Sequence, residues 1–137
     1  MSGPEFLDTN VLVYAYDVGN PAKQGIAQDL VRRALNGECI VSTQVLAEFA
    51  STLLHKPAPP LPAADVADLL DVLGPIPLIT PDGDIVRRAV QAHAKYGLHF
   101  YDGMIVAAAE RAGCERIWSE DLSAGQEYFG VVIANPF

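Results

Sequence analysis

Basic side chains are scarce in this chain. Nine Lys and Arg stand against seventeen Asp and Glu, and the net charge is −8 over 137 residues. A protein that coats nucleic acid regardless of sequence presents a basic face, and this composition argues against one. It leaves room for a nuclease that gathers acids around a cation and meets phosphate through that cation. Cysteine is scarcer still. Cys39 and Cys114 sit at the edges of apolar stretches without metal-ligand spacing. They are expected to be buried free thiols, as in a small cytoplasmic protein, rather than a disulfide. His55, His93 and His99 lack zinc-motif spacing and read as ordinary surface or core histidines. No apolar run approaches the roughly 18 residues that cross a bilayer, so no membrane association is expected. "MSGPEF" carries no basic residue, and no signal-like apolar segment precedes Asp8. Internal repeats and low-complexity tracts are missing too.

What the chain does have is apolar residues, which make up half of it. That proportion and this length suit a single domain over residues 1–137 with a real core. Short apolar runs alternate with longer helical patterns. Phe6 and Leu7 read as the end of a buried strand, and residues 11–16 as the first turns of a helix led in by Asp8, Thr9 and Asn10. Residues 22–36 form an amphipathic helix stopped by Gly37. "CIVS" is a second strand, and Ser42 or Thr43 caps the helix that follows. "KPAPPLP" holds four prolines in seven residues and reads as a loop. Residues 63–73 are helical, "PLIT" is a third strand, and Asp82 or Asp84 starts a helix that Gly97 ends. Asp102 opens an apolar helix, at a position where it would also serve as an N-cap. "RIWS" and "VVIA" supply a fourth and a fifth strand. Strands alternating with helices predict an α/β sandwich with a mostly parallel five-stranded sheet.

Ligands of open parallel sheets bind beyond the carboxyl ends of the strands. Asp8 follows the first strand, and Glu120 and Asp121 follow the fourth. Glu48, in "QVLAEFAS", lies on the edge of an apolar helical face, and Asp102 precedes "MIVAAA". Each alone has an ordinary reading as a cap, a solvated helix residue or a polar turn. Together they are costly. Two like charges ~4 Å apart repel by about 4 kcal/mol at an effective dielectric near 20, against about 1 kcal/mol for a helix cap. Such a cluster survives with raised pKa values or a bound cation. Ligands that are all carboxylates select a hard cation, Mg²⁺ or Mn²⁺.

With these residues the chain resembles PIN-domain ribonucleases, and within them the VapC-type toxins of bacterial toxin–antitoxin pairs. "FLDTNVLVYAYD", "VSTQVLAEFASTLLHK" and "HFYDGMIVAAAERAGCERIWSEDL" are similar to the family's acidic motifs in order, and "NPF" to its ending. The resemblance implies an acidic quartet of Asp8, Glu48, Asp102 and Asp121, with Asp8, Asp102 and Asp121 on the metal. It implies Asn10 and Ser119 as polar companions, and leaves Glu120 without an assigned role. It further implies a PIN-like three-layer α/β/α fold, Mg²⁺- or Mn²⁺-dependent cleavage of RNA, a homodimer, and a cognate antitoxin that brings an Arg to the acidic site.

Two alternatives differ from this. One is a PIN domain that processes or binds RNA without a toxin role. The other is a receiver-type signalling domain, which needs an acidic pair after its first strand and a Lys followed by Pro on its last. Here the first strand ends in a single Asp, and "VVIANPF" has no Lys.

Overall fold

The computed structural model describes residues 3–56 and 60–137. The chain runs β1 (Glu5–Leu7), α1 (Thr9–Ala15), α2 (Pro21–Leu35), β2 (Cys39–Ser42), α3 (Thr43–His55), α4 (Ala63–Leu73) and β3 (Leu78–Ile79). It continues through α5 (Gly83–Tyr96), α6 (Phe100–Arg111), β4 (Arg116–Trp118), β5 (Glu127–Tyr128) and β6 (Val131–Ala134). Of the proline-rich loop, residues 57–59 lie outside the described residues.

Local chemistry explains most of these boundaries. Asn20 caps α2 by accepting from the Lys23 amide, and Pro21 takes a first-turn position where its missing N–H costs nothing. Ser42, not Thr43, caps α3 through the Val45 amide at 3.2 Å. Asp82, not Asp84, caps α5, accepting from the amides of Asp84 and Ile85. Gly97 closes α5 in the left-handed region, at φ 72°.

The sheet has six strands, in the order β3-β2-β1-β4-β6-β5. This corrects the five-stranded expectation. The addition is β5, two residues that pair antiparallel with β6, while every other pairing is parallel. β5 escapes a reading by periodicity because two residues have none. The third strand is also only two residues long.

β1 is central, and all three of its residues are buried. The chain leaves β1 for β2 and β3 on one side, then returns to β4 on the other. Right-handed crossovers therefore put the helices before β3 on one face and α5–α6 on the opposite face. The core lies between, with Phe6, Leu7, Leu12, Val41, Phe49, Val106, Ile117 and Ile133 almost fully enclosed. Cys39 and Cys114 are buried and free, as expected. No described helix is long and apolar enough to cross a membrane.

α6 begins earlier than the sequence predicts. His99 is its N-cap, its Nδ1 accepting from the Tyr101 amide at 3.2 Å, so Asp102 falls inside the first turn and is not the cap. Gly103, next to it, lets α6 lie against α5. A Cβ there would stand 2.8 Å from the carbonyl oxygen of Ala89. Gly103→Ala is expected to cost about 1–3 kcal/mol, as overfilled cores do. Urea denaturation measures it, and wild-type stability would contradict this account of the crossing.

Candidate active site

The strand order reverses around β1, so a crevice opens where β1 and β4 end. The Asp8 amide donates to the Trp118 carbonyl at 3.0 Å and ties the two strand ends together. Asp8 then turns the chain into α1, and its own carboxylate caps that helix through the Thr9 amide at 2.8 Å. The cap reading was therefore correct, but it uses only one carboxylate oxygen. The other accepts from Ser119 Oγ at 2.7 Å.

Ser119 is fully buried at the end of β4. Its Oγ also accepts from the amides of Asp121 and Leu122, at 3.2 and 3.1 Å, so one hydroxyl holds Asp8 and folds the turn carrying Asp121. Asn10 grips that turn from α1. Its Nδ2 donates to Asp121 Oδ2 at 3.2 Å, and its Oδ1 accepts from the Glu120 amide at 3.1 Å. The structure thus joins four of the expected site residues, Asp8, Asn10, Ser119 and Asp121, in one hydrogen-bonded network.

Glu48 comes from α3 and stays exposed at the crevice. Two residues the sequence reading missed hold it. Gln44 Nε2 donates to Glu48 Oε1 at 3.2 Å and to the Tyr101 carbonyl at 3.1 Å, bridging α3 to the start of α6. Thr9 Oγ1 donates to Glu48 Oε1 at 3.4 Å. Gln44 was visible in advance, being one helical turn before Glu48. Asp102, half-buried in the first turn of α6, makes no side-chain hydrogen bond to this network among the described residues, and it reaches Asp8 and Glu48 through its charge.

The electrostatics show that the four carboxylates feel each other. Burial pushes Asp8 up to about 6, partly opposed by Ser119 and Thr9 and reinforced by the charges of Glu48 and Asp102. Desolvation raises Glu48 against the bonds from Gln44 and Thr9, and Asp102 and Asp121 add to the rise. Desolvation also raises Asp102, with His99 opposing and Asp121 reinforcing. Among the described residues, no ion pair joins any of the four to a base.

A contrast lies at the other end of the same strands. Glu5 is as buried as Asp8, at 6% and 7% exposure. Burial alone would raise its pKa, yet bonds from Arg33 and Arg116 bring it below the ordinary value. A cleft of about 590 Å³ opens there, but its buried acid is already neutralised by two guanidinium groups. Among the described residues, Asp8 has no such base. The smaller crevice beside it, about 350 Å³, is lined by Thr9, Asn10, Tyr14, Glu48, Lys56 and Asp121, among others.

The donor set, oxygen-only and carrying uncompensated negative charge, fits a hard divalent cation. Among the described residues, no three acidic, imidazole or thiol side chains yet stand close enough together to hold one. Holding an ion therefore requires side-chain movement, and Glu48 and Asp121, both exposed, have room for it.

Fold and crevice define an α/β domain with a carboxylate cluster at the switch point of its sheet. Residues 6–124 match the PIN domain family model, and the chain belongs to that family. Solved structures share the fold. The toxin VapC20 of Mycobacterium tuberculosis, described as cleaving the Sarcin-Ricin loop, aligns with a TM-score of 0.68 at 19% identity, over 85% of this chain and 91% of that one. A toxin-antitoxin complex from Klebsiella pneumoniae gives 0.72 at 17% identity, over 97% and 98%. VapBC2 from Rickettsia felis, bound to a DNA fragment from its promoter, gives 0.68 at 16%, over 96% and 97%. No curated protein matches the sequence.

Proposed function

We propose that this chain is a divalent-metal-dependent ribonuclease, the toxin of a toxin–antitoxin pair, hydrolysing RNA phosphodiester bonds at the β1–β4 crevice. The observation that carries the reading is Asp8, a buried carboxylate with no basic partner among the described residues, raised to about 6 beside two other raised acids. Asp8, Asp102 and Asp121 would hold the ion. Mg²⁺ or Mn²⁺, when bound, supplies a water of lowered pKa and positive charge opposite the phosphate. Glu48, held by Gln44 and Thr9, has the exposure and the raised pKa that suit orienting and deprotonating the attacking water. Asn10 and Ser119 fix the rotamers of Asp121 and Asp8.

The same reading takes residues 1–137 as one domain, acting in the cytoplasm as a homodimer. Its cognate antitoxin carries a basic segment that answers the net charge of −8. The toxin–antitoxin complexes that share the fold support this assignment.

Purified protein incubated with total RNA and Mn²⁺ is expected to yield discrete fragments, and EDTA to suppress them. The absence of both cleavage and calorimetric Mn²⁺ binding would sink the reading.

A further inference from the structure

Glu120 sits between Ser119 and Asp121, yet its carboxylate engages partners outside the acidic quartet. It accepts from Lys23 Nζ and from the Tyr14 hydroxyl, the latter at 2.6 Å. Lys23 Nζ also reaches the Tyr14 hydroxyl at 3.3 Å and lies 4.8 Å from the centre of the Tyr14 ring. Phe137 braces that ring edge-on at 4.9 Å. Lys23 belongs to α2 and Tyr14 to α1, so two helices converge on one side chain of the turn.

Tyr14 is one helical turn beyond Asn10, which holds the same turn through the Glu120 amide and the Asp121 carboxylate. Residues 119–121 are thus held on both sides. Ser119 and Asn10 grip the backbone and Asp121, while Lys23 and Tyr14 grip Glu120. Asp121 itself is exposed, and among the described residues its side chain is held by the 3.2 Å bond from Asn10. Its placement depends on the turn beneath it.

We propose that Lys23 and Glu120, braced by Tyr14, form a latch that fixes the turn over residues 119–121 and so sets where the Asp121 carboxylate sits. Lys23 and Glu120 are positioning residues in this scheme, acting through Asp121. The inference rests on the reading of Asp121 as a cation-holding carboxylate. An ordinary surface ion pair would contribute little to stability and nothing to metal binding.

The test is calorimetric titration of Mn²⁺ into wild type, Lys23→Met, Glu120→Gln, the double variant and Lys23→Arg, with amide hydrogen exchange read at Glu120. Each single loss is expected to weaken Mn²⁺ binding by roughly tenfold, the scale of residues that support metal ligands. Exchange at the Glu120 amide should speed up by a similar factor. The double variant should be no worse than either single, because both remove one interaction. Lys23→Arg should restore binding. Unchanged affinity and exchange in Lys23→Met overturn the latch, as do losses that multiply in the double variant. A wild type that binds no Mn²⁺ overturns the ribonuclease reading instead, and exchange at Glu120 then still decides whether the latch orders the turn.

Discussion

Asp8→Asn is expected to lower Mn²⁺-dependent RNA cleavage by about a thousandfold, equivalent to ~4 kcal/mol of barrier, and to leave a folded protein. Asn matches Asp as a helix cap, so the bond from the Thr9 amide survives. The contact with Ser119 suffers. The Asn amide nitrogen would face an Oγ that already accepts from the Asp121 and Leu122 amides, a loss of about 1–2 kcal/mol. Against this stands removal of a buried charge. Raising the Asp8 pKa from 3.8 to about 6 makes its ionised form costly by about 3 kcal/mol. The variant should therefore match or exceed wild-type stability at neutral pH without metal. Near pH 4, where wild-type Asp8 is protonated in the fold, that advantage should disappear. Single-turnover cleavage and urea denaturation at both pH values check the two halves. Full activity in the folded variant would remove Asp8 from the site.

The metal-free protein should grow more stable on acidification from neutral pH, opposite to ordinary acid denaturation. The native state holds the Asp8 proton more tightly than the unfolded chain does. Stability from this group is therefore fully present below 3.8 and is lost as pH rises towards about 6. Glu48 and Asp102, both raised, act in the same direction. Glu5 acts oppositely. Its lowered pKa gives stability that is present above its ordinary 4.5 and lost as pH falls through its folded value. The two trends oppose each other, with Asp82 and Glu120 siding with Glu5, so the melting temperature in EDTA should peak at acidic pH, below the Asp8 value of about 6. Mn²⁺ at a hundredfold excess over its dissociation constant would add about 2.7 kcal/mol and move the peak towards neutrality, where the carboxylates are ionised. Melting curves across this pH range, in EDTA and in Mn²⁺, decide it. A melting temperature that climbs from pH 5 to pH 7 in EDTA would show that Asp8 is not the strained acid described above.

Much of this protein was determined by its sequence alone. "CIVS" and residues 63–73 have the same limits in the structure, because an apolar run bounded by polar residues and an amphipathic period are local properties. Ser42, Asp82 and Gly97 act as helix signals for the same reason: each satisfies backbone groups within a few residues of itself. The acidic quartet was legible as residue types in order, and Asn10 and Ser119 prove to touch Asp121 and Asp8. The tertiary structure decided what depends on distant partners. β5 has two residues and exists only because β6 lies beside it. Asp102 reads as a cap until His99, two residues before Tyr101, takes that role and leaves Asp102 inside the first turn. Glu120 and Asp121 are neighbours in the chain, yet Lys23 and Tyr14 draw one away while Asn10 holds the other at the crevice. Glu5 and Asp8 are three residues apart and equally buried, and their opposite pKa shifts follow from Arg33 and Arg116 standing at one end of β1 and acids at the other. Strand order, which sets β1 between β2 and β4, is what gives the one acid two guanidinium partners and leaves the other among carboxylates.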